Sequence, residues 1–355
     1  MSTFRAEVVR IEVRRHPDAD RLDIIRPVGK LWNCVDQRDK FKTGDLAVYL
    51  PVDSVLPPEL VAKLGIEKYY SKRLKTVRLR GYFSQGLIAP LSILGEGPTP
   101  GHGEDGLDVT LALGITKYEE IIPIEMAGVQ LPADERFVKF TPIENFKNFP
   151  DVFVDGEQVC ITEKIHGTNA RFAVIDGELH VGSHNTHLAP PREHTRWEHF
   201  KAFFGIRLPK TNKGNLYWRA ATMIDAYEQI CNGDQVFGEI YGSGIQDLAY
   251  GLKPGTFSVV VFGVVRDGKY LDDAELDAYC EARCFKRATV LYRGPWSADL
   301  VRLASGKSTL DAGTIREGMV ITPITEQYSE RLGGRKILKY VSDEYLARKD
   351  ATERH

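Results

Sequence analysis

A chain of 355 residues is too long for one ordinary hydrophobic core and short for three, so two domains are expected. Its 43% apolar and 27% charged residues exclude a disordered or collagen-like chain, and a net charge of −2 excludes a uniformly basic nucleic-acid binder. No apolar run is long enough to cross a bilayer, and the residues after Met1 alternate at once without a signal-peptide core. A cytoplasmic protein with no membrane partner is therefore expected. The five cysteines, Cys34, Cys160, Cys231, Cys280 and Cys284, are odd in number and contain no CxxC pair, which points to reduced, core-filling thiols.

The first third reads as β structure. Short alternating runs at Ala6 to Val13, Leu46 to Leu50, Thr76 to Leu79 and Gly86 to Pro90 are separated by turns such as Thr43-Gly44-Asp45. Five or so short strands suggest a small barrel, and the OB-fold is the common one that binds nucleic acid. The stretch His16-Pro17-Asp18-Ala19-Asp20-Arg21-Leu22-Asp23 resembles the loop and strand of tRNA-binding OB modules. Downstream, the basic residues Lys68, Lys72, Arg73, Lys75, Arg78 and Arg80 are bracketed by Tyr69, Tyr70, Tyr82 and Phe83. Basic side chains neutralise phosphates and aromatic rings offer bases a stacking surface. The same pattern describes a solvated strand face with core tyrosines, and both readings stand at this stage. Glycine and proline from Gly95 to Gly106 mark a loop, and the apolar, aperiodic stretch to Leu131 places the boundary near residue 130.

The remainder alternates strand and helix patterns. Strands are expected at Val159 to Lys164, Gln235 to Tyr241, Thr256 to Val265, Arg316 to Ile321 and Arg335 to Val341, the third closing in an Asp267-Gly268 hairpin turn. Asn215 to Cys231 reads as one helix with Leu216, Ala220, Met223, Ile224 and Tyr227 on a face. Asp272 to Arg283 reads as another, with Asp272 as N-cap and Glu275 three residues on. Trp197, Phe200, Phe203 and Phe204 read as a helix packed into the core.

The chemistry concentrates at Thr162-Glu163-Lys164-Ile165-His166-Gly167-Thr168-Asn169, which puts a lysine at a strand end just before a glycine-containing turn. A lysine there can face a cleft, and it attacks phosphorus only as the free amine, so its pKa must be lowered by desolvation or a nearby cation. Four residues of K-x-x-G alone describe a surface lysine at a strand end better than a catalytic one.

The octet does not stand alone. It resembles motif I of the nucleotidyltransferase superfamily of ligases and capping enzymes, in the K-x-H-G form of RNA ligases. Phe237-Gly238-Glu239-Ile240-Tyr241-Gly242, Val260-Val261-Phe262-Gly263, Arg316-Glu317-Gly318-Met319-Val320-Ile321 and Arg335-Lys336-Ile337-Leu338-Lys339 resemble motifs III, IIIa, IV and V in order. The resemblance implies that Lys164 is adenylylated by ATP, and that Thr162, Glu163, Asn169, Glu239, Phe262 and Glu317 contact the nucleotide. Phe262 would stack on adenine, Glu239 would bind ribose or order metal-bound water, and Glu317 and Glu239 would serve Mg2+ or Mn2+. Asn169 matches an asparagine of the 3′-hydroxyl or metal step. His166 is assigned no more than holding its turn, and Phe262 in a valine-rich strand also fits plain core.

Two departures stand out. Lys336 and Lys339 are offered as cations for the triphosphate, with Lys339 preferred, because related enzymes show K-x-K whereas K-x-x-K puts the two lysines on opposite strand faces. His184, in Gly182-Ser183-His184-Asn185, stands where RNA ligases commonly carry a phosphate-binding arginine. His180, His184, His187, His194 and His199 cluster, but without zinc spacing.

The expected fold is α+β: an OB-like barrel with linker over residues 1–130, then a nucleotidyltransferase domain of antiparallel sheets with flanking helices over 131–355. Sixteen residues follow Lys339, too few for the C-terminal OB domain of DNA ligases and capping enzymes. This order resembles the Deinococcus-type RNA ligases, which seal nicks. The implied partner is RNA or an RNA/DNA nicked duplex, met through Lys72, Arg73, Lys75, Arg78, Arg80 and His184. A capping-type guanylyltransferase and an inactive RNA-binding protein are the alternatives.

Overall fold

The computed structural model describes residues 4–95, 104–118, 128–204, 208 and 211–348. The glycine-rich stretch at 96–103 and the apolar segment at 119–127, both used above to set the boundary near residue 130, lie outside the described residues. The chain forms two compact units that interleave in sequence: Met1–Glu120, Pro142–Asp155 and Ile337–His355 make the first, Ile121–Thr141 and Gly156–Lys336 the second.

In the first unit, five strands lie antiparallel in the order Cys34–Gln37, Leu22–Pro27, Glu7–Arg15, Leu46–Leu50, Leu87–Pro90. The period of two sends Ala6, Val8, Val48 and Leu50 to one side, where they meet Leu60, Val61 and Leu74. The edge strand Cys34–Gln37 is drawn to the strand Tyr82–Gln85, which runs on into the opposite edge strand Leu87–Pro90, by the Gln85 N–H, which donates to Asn33 O at 2.7 Å, and by the Val35 N–H, which donates to Ser84 Oγ at 2.9 Å. That closure is what an OB-like barrel requires. The hairpin of Thr76–Leu79 and Tyr82–Gln85 turns at Arg80 and Gly81, with φ of 47° and 92°.

The unit also recruits remote chain. Glu144–Asn145 pairs in parallel with Leu338–Val341. Lys147, 1% exposed, pairs with the Asp343 carboxylate, donates to Gln85 Oε1 at 3.1 Å and sits 5.0 Å or less from the ring centres of Trp32 and Tyr340.

The second unit holds a seven-stranded antiparallel sheet, in the order Gln130–Leu131, His187–Leu188, Glu178–Ser183, Thr168–Ile175, Gln235–Gly242, Phe257–Arg266, Lys269–Tyr270. One face carries Ala170, Phe172, Val174, Val236, Ile240, Val259 and Val261 against Leu216, Tyr217, Ala220, Leu276 and Tyr279 of the helices. Truncating a fully buried ring there, Phe172→Ala, is expected to cost about 3–5 kcal/mol. The other face is left for the site. In the same unit Gln158–Lys164 lies between Val290–Pro295 and Gly318–Pro323, antiparallel to both.

Local signals hold where they are strongest. Asp272 and Glu275 form the reciprocal capping box, and Asp267 and Gly268 turn the hairpin with φ of 50° and 75°. The single helix expected over Asn215 to Cys231 is broken. Leu216–Met223 ends before Asp225, whose φ of 51° is left-handed, and Ala226–Gln229 starts a short second helix. The kink leaves Met223 and Tyr227 exposed and buries Tyr217, Ala221 and Ala226 instead. The aromatic helix is also corrected: Arg196–Phe203 is helical, but Trp197, Phe200, Phe203 and Phe204 are each more than half exposed and pack on one another rather than in the core. Cys34, Cys160 and Cys280 are buried thiols, whereas Cys231 and Cys284 are exposed and fill no core. Among the described residues no helix is long and apolar enough to cross a membrane.

Candidate active site

Lys164 ends its strand opposite Gly318, so the residue before that glycine, Glu317, comes beside it. The Lys164 Nζ donates to Glu317 Oε1 at 2.8 Å, and Glu317 is wholly buried. The next residues turn sharply. A Cβ on Gly167 would stand 2.2 Å from Ile240 O and 2.9 Å from Glu239 Cγ, so only glycine fits this close approach. In exchange, the Gly167 N–H donates to the Glu239 carboxylate. Beyond the turn, Asn169 registers with Glu239 and Glu239 with Val260, which puts Asn169, Glu239 and Phe262 on the sheet face opposite the core.

His166 is buried in the turn. Its Nε2 lies 2.5 Å from Asp247 Oδ1 and its Nδ1 3.7 Å from Glu317 Oε1. Its own backbone N–H donates to Tyr250 Oη at 2.7 Å. Burial alone would lower the imidazole, but Asp247 and Glu317 overcome it and raise His166 to about 9. Burial would likewise raise Glu317, yet Lys164 and then His166 hold it at about 2, an anion at every physiological pH. Glu239 is pushed up to about 8, by burial first and by the Glu317 charge as well, with Lys164 opposing.

Buried oxygens left without partners face this cluster's chemistry: Glu317 Oε2 and Asn169 Oδ1 accept no hydrogen bond. A hard divalent cation takes such oxygens, together with phosphate and water. Among the described residues no three His, Cys, Asp or Glu side chains are grouped to hold a metal by themselves. Glu317 and Glu239 fit an ion that is completed by substrate phosphates, as Mg2+ commonly is.

A family model described as RNA ligase matches residues 157–341, just over half of the chain. The chain belongs to the RNA ligase family. An OB-fold domain model matches residues 6–91. Solved structures of the Naegleria gruberi RNA ligase are similar along nearly the whole length. A lysine-to-alanine mutant with ATP and Mn has 24% identity and a TM-score of 0.76, covering 96% of this chain and 98% of that one. The form with PPi has 25% identity and a TM-score of 0.74, covering 97% and 98%. They share the fold of an N-terminal OB-fold domain and a mixed α+β RNA ligase domain.

Within this RNA ligase family member, the remaining site residues divide. Phe262 sits at a bulge in the pairing of its strand, half-buried, with its ring edge-on to Phe140 at 4.9 Å, so it is not plain core. Thr162 shares the Lys164 face of the strand, and Glu163 points the other way. There Glu163 Oε2 accepts from the Thr309 N–H at 2.8 Å and the Thr309 hydroxyl at 2.5 Å, while its buried Oε1 has no hydrogen bond.

The alternation drawn across Lys336 and Lys339 does not apply, because a bend at Lys336 separates Gly334–Arg335 from Leu338–Val341. Lys336 pairs with Glu157 at 2.6 Å. Lys339 is 1% exposed and belongs to the first unit, where it registers with Asn145.

His184 is half-buried, and burial, Arg171 and Lys139 all lower its pKa, so it carries no standing positive charge for a phosphate. Arg171 itself is consumed structurally, donating to the carbonyls of Ser183, Phe137, Val138 and Thr186 at 2.7–3.1 Å. In the histidine cluster, His180 Nδ1 and His187 Nε2 lie 3.1 Å apart in a stacked pair, and the side chain of His199 lies outside the described residues.

Among the basic residues of the first unit, Arg73 must be withdrawn from the nucleic-acid set. It is 6% exposed, paired with Asp53 at 2.7 Å and laid over the Tyr118 ring at 4.1 Å. Lys72, Arg78 and Arg80 are exposed and Lys75 is half-buried. Sequence reasoning missed Asp247, Tyr250 and Thr309. The first two follow the Phe237-to-Gly242 motif within eight residues of Gly242, but no periodicity marks them.

Proposed function

We propose that this protein is an ATP-dependent RNA ligase that joins a 3′-hydroxyl to a 5′-phosphate through a covalent AMP on Lys164. The hydrogen bond from Lys164 Nζ to the buried Glu317 carboxylate carries the reading, because it fixes an amine at the mouth of a site with open oxygen acceptors. Solved structures of the Naegleria gruberi RNA ligase with ATP and Mn, with AMP and Mn, and with PPi support it, since these are the substrate, transferred group and leaving group of that reaction.

In the first step the Lys164 amine loses its proton and its lone pair forms an N–P bond to the α-phosphorus of ATP. The bond to the β-phosphate oxygen breaks and pyrophosphate leaves. Glu317 and Glu239 would hold a divalent cation, which would neutralise charge on the phosphates and lower the lysine pKa when bound. Glu317 meanwhile orients Nζ. Phe262 offers its ring to adenine, Thr162 borders the nucleotide, and Lys336 serves as a phosphate cation. In the second step a 5′-phosphate oxygen displaces Lys164 from AMP. In the third, a 3′-hydroxyl, met by Asn169, attacks that 5′-phosphate and releases AMP. Lys72, Lys75, Arg78 and Arg80 border the nucleic acid, which is a nick in RNA or RNA/DNA duplex, as for the Deinococcus-type enzymes. The reaction is cytoplasmic.

Incubation with α-labelled ATP and Mg2+ or Mn2+ tests this reading, comparing wild type with Lys164→Ala after denaturing electrophoresis. Label on wild type alone is the expected result. Labelling by GTP but not ATP would make it a guanylyltransferase, and no label from protein first freed of bound AMP would leave an RNA-binding protein.

A further inference from the structure

One loop grips His166 twice. Tyr250, 3% exposed, with a left-handed φ of 50° and its ring edge-on to Tyr241 at 5.4 Å, accepts the His166 backbone N–H at 2.7 Å. Three residues earlier, Asp247 Oδ1 lies 2.5 Å from His166 Nε2. A carboxylate can only accept, so the Nε2 proton belongs to that contact and the ring orientation is set by it. The other nitrogen then faces Glu317 Oε1, the same oxygen that receives Lys164.

We infer that Asp247 is a positioning residue of the ligation reaction, fixing the His166 ring so that Glu317 turns Oε1 to Lys164 and keeps Oε2 uncovered. A buried carboxylate with two equivalent oxygens rotates unless something distinguishes them. Here the Lys164 Nζ and the His166 Nδ1 both approach one oxygen, and the other accepts no hydrogen bond. Without Asp247 the ring can turn, and Glu317 can then share both oxygens between Lys164 and the histidine. The lysine is lost from its place facing the incoming phosphate. Outer partners of this kind typically change activity 10–100-fold when removed.

The inference rests on the ligase reading, so its test has one arm that needs activity and one that does not. In the first, the rate of Lys164 labelling from ATP is compared for wild type, Asp247→Ala, Asp247→Glu, His166→Ala and the Asp247→Ala, His166→Ala double variant. Asp247→Ala is expected to slow labelling about 10–100-fold. Asp247→Glu should recover most of the loss, and the double variant should be no slower than His166→Ala alone. Losses that multiply in the double variant would show that Asp247 acts elsewhere. In the second arm, the His166 Nε2–H resonance is followed by nitrogen-edited NMR. It should be protected from exchange in wild type and lost in Asp247→Ala, with the dispersed amide spectrum of the folded protein retained. A resonance that survives the substitution overturns the inference. A wild type that takes no label sinks the ligase reading, while the resonance still decides whether Asp247 holds the ring.

Discussion

Lys164 and Glu317 lie 153 positions apart in sequence, yet the Lys164 Nζ donates to Glu317 Oε1 at 2.8 Å because their strands pair with Lys164 opposite Gly318. This contact sets the charge state of the site. Glu317 is held at about 2 against an ordinary 4.5, burial being outweighed by Lys164 and His166. A depressed carboxylate contributes stability that is present above the unfolded value and lost as pH falls towards the folded one. Lys164→Met should therefore destabilise the protein by about 1–3 kcal/mol at pH 7. The difference from wild type should shrink below pH 4.5. Denaturant unfolding at pH 3 to 7 measures it, and a difference independent of pH would contradict the assignment.

Gly167→Ala is expected to be more damaging than its single methyl suggests. The added carbon would stand 2.2 Å from Ile240 O, a backbone atom of the central sheet. The turn must shift, and with it both Lys164 and the Gly167 N–H bond to Glu239. Labelling of Lys164 should fall at least 100-fold, about 2.7 kcal/mol of barrier. Near-normal labelling would mean that the turn relaxes freely.

In the barrel unit, Arg73 and its basic neighbours should separate cleanly. Arg73→Ala leaves Asp53 buried without its ion pair and is expected to cost about 3–5 kcal/mol, visible as a lowered Tm. Lys72→Ala, Arg78→Ala and Arg80→Ala should leave Tm unchanged. If they meet phosphates, each should reduce the slope of log affinity for RNA against log salt by about 1. An unchanged slope for all three would remove this hairpin from the RNA-binding surface.

Lys147 ties three remote stretches of the first unit together through Gln85, Trp32 and Asp343. A fragment of residues 1–130 should thus fail to fold as a separate domain, because it lacks both the lysine and the Leu338–Val341 strand. Dispersed amide resonances from that fragment would refute this. In the full chain, Lys147→Ala strands the Asp343 partner and should lower stability by about 3 kcal/mol.

Much of this was legible in the sequence, and the reason is locality. A strand ending at Lys164, a glycine two residues past Ile165, the Asp272 and Glu275 capping box and the Asp267-Gly268 turn are each decided by residues within a few positions of one another. So were the alternating strands of the barrel and the order of the five motifs. What folding alone decided depends on distance in space. Composition could not say that Arg73 turns inward to Asp53 while Arg78 stays in solvent. Nor could it say that Trp197, Phe200, Phe203 and Phe204 pack on one another at the surface, or that Asp225 breaks a helix whose apolar spacing looked continuous. Asp247 carried no periodic or motif signal, since its significance is a 2.5 Å contact with a histidine 81 residues away. The interleaving of the two units is likewise a pairing of Glu144–Asn145 with Leu338–Val341, set by register between distant strands rather than by any property of either one.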